Sequence, residues 1–63
     1  MKDKTEFVAV CPNLPEKEQA KKYIYKWAAI NRVNRLGIVG TGYVAMHEWK
    51  GDNYNRKCVW EKA

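Results

Sequence analysis

A chain of 63 residues makes one small domain that buries only about 60% of its unfolded surface, which leaves no room for a deep catalytic cleft with its own supporting shell. Lys and Arg outnumber Asp and Glu 12 to 7, for a net charge of +5 and a pI near 9.4, and that balance favours nucleic acid or an acidic protein surface as partner. Two cysteines, Cys11 and Cys58, are too few and too far apart for a disulfide scaffold or a zinc site, no apolar run reaches the roughly 18 residues of a membrane span, and MKDKTEF lacks the apolar segment of a secretory signal, so the expectation is a cytoplasmic protein with reduced thiols and no membrane contact.

Residues 6–11, EFVAVC, read as a first strand with β-branched and aromatic content. Pro12 stops it, because proline offers no donor to a ladder. Asn13-Leu14-Pro15-Glu16 then has the chemistry of a helix start, with Asn13 as cap, Pro15 in the first turn and Glu16 three residues after the cap. The predicted helix covers residues 14–33. Ala20, Tyr23, Ile24, Trp27 and Ile30 recur at helical spacing and form its predicted buried stripe. On the opposite side Lys22, Tyr25, Ala29 and Val33 lie together, with Lys26 and Arg32 at the margins. This apolar island ringed by cations is a candidate partner surface, and its plain rival is a solvated lysine-rich face.

Residues 36–39 read as a short strand, and Gly40-Thr41-Gly42 as a tight turn. Residues 43–49 and 54–60 are two further strands, joined through Lys50-Gly51-Asp52-Asn53 as a hairpin. If Trp49 pairs with Tyr54, then His47 lies opposite Arg56, Ala45 opposite Cys58 and Tyr43 opposite Trp60, all on one face. The other face carries Val44, Met46 and Glu48 beside Asn55, Lys57 and Val59. The first face is aromatic with a cationic centre, and it is expected to be at least partly exposed. Its rival makes Tyr43, Trp49 and Trp60 the core of a very small domain, since aromatics bury the most area per residue.

Gly40-Thr41-Gly42-Tyr43-Val44-Ala45, preceded by Gly37-Ile38-Val39, fits G-x-G-x-x-A after a strand. Over about ten residues it resembles the first phosphate-binding turn of nucleotide-sugar dehydrogenases, which implies a pyrophosphate held at a helix N-terminus. The context does not follow: a helix would have to run through the Lys50–Asn53 loop, and no parallel strand with a ribose-binding acid comes after it. No cofactor is therefore expected. Cys58 and His47 can share a sheet face, but nothing marks an orienting third group or an oxyanion site. Cys11, Cys58 and His47 show no metal-ligand spacing.

The sequence thus predicts an α+β domain in the order β-α-β-β-β, with one helix on an antiparallel sheet. Its predicted role is that of a non-enzymatic binding protein, one that engages and inhibits or regulates a protein or complex handling nucleic acid. Small viral and mobile-element regulators share this size and composition, by analogy only. The alternative is direct nucleic-acid binding, in which Trp49, Lys50, Tyr54, Arg56 and Trp60, beside His47, stack bases and hold phosphates; an enzyme comes last. The protein reading leads because Asp and Glu are scattered among the cations and no dense basic cluster appears.

Overall fold

The computed structural model describes residues 3–63. Its elements are β1 (Lys4–Val10), a 3-10 turn (Glu16–Glu18), β2 (Ala20–Tyr23), α1 (Lys26–Leu36), β3 (Tyr43–Lys50) and β4 (Asn53–Glu61). The four strands form one sheet in the order β2-β1-β3-β4, and every neighbouring pair is antiparallel. The α+β class, with one helix packed on an antiparallel sheet, is as the sequence predicts. The element order is not, because the stretch expected to be one helix over residues 14–33 divides into three.

Only Glu16–Glu18 makes the expected first turn, and it is a 3-10 turn. Asn13 does not cap it: its side-chain amide donates to the Leu36 carbonyl at 2.9 Å, tying this loop to the far end of α1. Residues 20–23 pair instead with β1, in the register Phe7↔Tyr23, Val8↔Lys22, Ala9↔Lys21 and Val10↔Ala20. Otherwise that edge of β1 would carry unpaired backbone donors and acceptors. Local helical spacing loses here to a long-range ladder. The helix begins only at Lys26, after Tyr25 in extended conformation and without a side-chain cap.

This late start turns the helix relative to the predicted stripe. Ala29 and Val33, expected on the outer face, are fully buried, whereas Ile24 and Trp27, expected inside, are exposed. Small residues at the contact let the helix approach the sheet closely. Gly42 serves the same approach, since a Cβ there would stand 2.6 Å from Val33 Cγ1. The core consists of Ala9, Cys11, Ala29, Val33 and Val44, with Phe7, Leu14, Tyr23, Ile30, Val59 and Trp60 packed around it.

The strand expected over 36–39 does not form. Leu36 ends α1, and Ile38 to Thr41 make the turn, with the Thr41 and Gly42 amides donating to the Ile38 carbonyl at 3.1 and 3.0 Å and Gly40 at a φ of 88°. The last turn of α1 is closed from outside by Lys62, whose ammonium donates to the Asn34 and Gly37 carbonyls at 2.9 and 3.1 Å. A cation there meets otherwise unpaired carbonyls and the negative end of the helix dipole.

The hairpin pairs as predicted over most of its length: Trp49↔Tyr54, His47↔Arg56 and Ala45↔Cys58. Lys50 pairs with Asn53, and Gly51, at a φ of 59°, leads the two-residue turn. The register then shifts between Val44 and Ala45, so that Val44 faces Trp60 and Tyr43 faces Glu61. One residue, Val59, is left over as a β-bulge. The predicted pairing of Tyr43 with Trp60 is therefore replaced, and Trp60 turns to the helix side and joins the core.

Candidate binding surfaces

Strand alternation sorts the side chains. Phe7, Ala9, Val44 and Met46 face the helix, so Lys4, Glu6 and Val8 of β1, Tyr43, Ala45, His47 and Trp49 of β3, Tyr54, Arg56, Cys58 and Glu61 of β4 and Lys22 of β2 share the opposite face. No element of the described chain covers it. Across its middle, Glu6, His47 and Arg56 stand side by side on adjacent strands. At the hairpin end, three rings meet: Trp49 and Tyr54 with centroids 5.0 Å apart, and His47 edge-on to both at 6.2 and 5.7 Å. The Lys4 ammonium lies 5.6 Å from the Trp49 ring centre, a cation–π distance. Toward the other end, the Arg56 guanidinium donates to the Tyr43 hydroxyl at 3.2 Å. Ala45, between Tyr43 and His47 on its strand, is thereby buried although nothing packs on the face from above.

Glu6 is the electrostatic hub of this face. Its carboxylate lies 2.8 Å from the Lys4 ammonium and 3.9 Å from that of Lys22. The hydrogen bond from Lys4 is the main force that holds the Glu6 carboxyl below its ordinary range, against a smaller opposing push from burial. The pKa of His47 is lowered as well, which here favours the neutral form: burial, then the positive charge of Arg56, disfavours the imidazolium, with Glu6 only partly offsetting them. His47 Nε2 and Glu6 Oε2 are both buried without a hydrogen-bond partner.

A second surface lies where β2 hands over to α1. Ile24, Tyr25 and Trp27 are 78%, 59% and 64% exposed. Tyr25 stacks on Trp27 with centroids 5.9 Å apart and planes 18° from parallel. Lys21, Lys22 and Lys26, all exposed, flank this corner in sequence.

The ten residues singled out from sequence therefore separate. Tyr25, with Lys26 next to it in the chain, belongs to the corner, whereas Lys22, His47, Trp49, Tyr54 and Arg56 belong to the open face. Lys50 lies at the hairpin tip, 3.9 Å from Glu48. Trp60 is core. Arg32, expected at a partner surface, is half-buried and donates to the Glu18 carbonyl at 3.3 Å, so it ties α1 to the 3-10 turn. Sequence reasoning missed Lys4 and Glu6, although their alternation with Thr5 and Phe7 carried the signal, and it placed Ile24 and Trp27 inside.

The Gly40-Thr41-Gly42 turn leads into β3, so no helix N-terminus stands behind it to hold a pyrophosphate. Cys11 and Cys58 are free thiols, one buried and one exposed. Cys58 Sγ contacts the Trp60 carbonyl at 3.5 Å and Glu61 Oε1 at 3.8 Å. Among the described residues, no three His, Cys, Asp or Glu side chains converge on a common point, and no helix is long and apolar enough to cross a membrane. The chain matches no protein-family model, no curated protein and no solved structure.

Proposed function

We propose that this is a non-enzymatic binding protein, which acts by docking its Ile24–Tyr25–Trp27 corner on a partner protein and regulating it by occupancy. The observation that carries this reading is the corner itself. Two stacked aromatics and an isoleucine stand in solvent on a chain whose core contains no fully buried ring. Exposed, stacked rings of this kind suit an interaction site, and Tyr and Trp are among the residues that most often anchor interfaces. Lys21 and Lys26, exposed and close to it in the chain, define the complement: an apolar pocket with a carboxylate rim. A partner that works on nucleic acid fits the basic balance of the whole chain, since the protein and the nucleic acid would then be drawn to the same assembly.

The test uses binding partners isolated from the source cell with the intact protein, identified and then purified. Tyr25→Ala and Trp27→Ala should each weaken the purified complex tenfold or more, about 1.4 kcal/mol at least, while Lys57→Ala on the far strand should not. A partner bound equally well by both corner variants overturns the assignment. So does corner-dependent self-association, seen as a mass that rises with concentration in sedimentation.

A further inference from the structure

The open sheet face differs from the corner in chemistry, and it calls for a different ligand. We propose that this face is a separate binding site for single-stranded nucleic acid, with Tyr54 and Trp49 as a stacking platform, backed edge-on by His47, and Arg56, Lys4 and Lys22 as phosphate contacts. The proposal does not depend on the corner.

Three features carry it. First, Tyr54 is 48% exposed on an edge strand, with Trp49 half-buried beside it. Trp49 is tilted 42° to Tyr54, so the two rings do not close into a sealed stack and leave ring surface for a base. Second, the cations on this face outnumber the carboxylate they share, and one of them is unshared. Among the described residues Arg56 has no carboxylate within salt-bridge distance; it donates to the Tyr43 hydroxyl and keeps the rest of its fork free for a phosphate. The Lys4 and Lys22 side chains are 64% and 70% exposed, whereas Glu6, the one carboxylate between them, is only 15% exposed and already neutralised by both. Third, the mixture suits nucleic acid better than protein. Lysines are depleted from the centres of protein interfaces, where their heads would lose water. Phosphates accept them in a hydrated setting, and every base offers a π-face for stacking. A duplex keeps those faces inside its own stack, which makes the single strand the ligand.

The probe is a labelled mixed-sequence oligonucleotide of about 12 nucleotides, in ribo and deoxy forms and as the matching duplex, read by fluorescence anisotropy. Single strands of either sugar should bind saturably, with micromolar affinity near physiological salt, and more tightly than the duplex. Tyr54→Ala should weaken binding about fivefold or more, and Tyr54→Phe should restore it. Arg56→Ala should flatten the slope of log K against log salt by about 0.7, the loss of one phosphate contact. Tyr25→Ala should change neither quantity. Thermal melts of the variants confirm that they are folded. Absence of saturable single-strand binding overturns the proposal. Equal binding of duplex with no effect of Tyr54→Ala also overturns it, because that is attraction of a polyanion to net charge alone. Oligonucleotide binding lost with Tyr25→Ala would move the site to the corner.

Discussion

At the scale of single residues, the row Glu6–His47–Arg56 makes stability depend on pH in one direction. His47 has a pKa below its ordinary 6.5 in the folded chain, chiefly from burial. Between that lowered value and 6.5 the unfolded chain holds the extra proton, so acid favours unfolding. What neutral His47 contributes is complete above 6.5 and lost as pH falls toward the native value. Glu6 has a pKa below 4.5, chiefly from its hydrogen bond with Lys4, so its contribution is complete above 4.5 and lost as pH falls through the lowered value. Melting temperature should therefore decline in two stages on acidification from about pH 7.5. His47→Gln should remove the upper stage and Glu6→Gln the lower, with circular dichroism melts as the readout. A His47→Gln profile that overlays the parent above about pH 5 would mean that the imidazole is not held neutral by the fold.

At the scale of elements, the helix separates burial from hydrophobicity. Val33 is fully buried against Gly42 and the sheet, while Trp27 stands in solvent. Val33→Ala should cost about 2–3 kcal/mol, a large share of the roughly 3–9 kcal/mol expected for a domain this size. Trp27→Ala should cost about 0.5 kcal/mol or less. Denaturant melts of the two variants decide it, and the reverse ranking would place the other side of the helix inward. This is also where the sequence was least legible. The hairpin could be read because its turn chemistry and alternation are local, and with it came four of the open-face residues, His47, Trp49, Tyr54 and Arg56. Residues 20–23 could not, because Ala20, Lys21, Lys22 and Tyr23 suit a helix as well as a strand, and only the free edge of β1 decides between them. Once those residues leave, the helix start moves to Lys26 and the inward side moves with it. The bulge at Val59 was equally hidden, since no glycine or proline marks it. The Gly40-Thr41-Gly42 turn, by contrast, was read correctly as a turn. With β3 after it, millimolar NAD or a nucleotide sugar should leave the melting temperature unchanged, as a ligand of the native state must raise it; a saturable rise would show that the turn binds nucleotide after all.

At the scale of the whole molecule, the two surfaces should respond differently to salt. The proposed nucleic-acid face works through phosphate contacts and released counterions, so its affinity falls steeply as salt rises. The corner works through desolvated rings with lysines only at its margin, where charge mainly sets the association rate. Stopped-flow and equilibrium titrations of the partner complex should show salt acting on the on-rate while dissociation stays nearly constant. A steep salt effect on dissociation would place buried ion pairs at the centre of that interface.

The extra residue at Val59 gives the molecule an optical consequence. Because it turns Trp60 toward the helix while Trp49 stays on the open face and Trp27 on the corner, the three indoles occupy three different environments. A protein keeping Trp60 alone should emit at the shortest wavelength and lose that position only on unfolding. One keeping Trp27 alone should emit as a solvated indole and answer to a docked protein. One keeping Trp49 alone should be quenched by a stacked base. With the other two indoles replaced by phenylalanine, the chain carries its own reporter for folding and for each proposed ligand, with no added label.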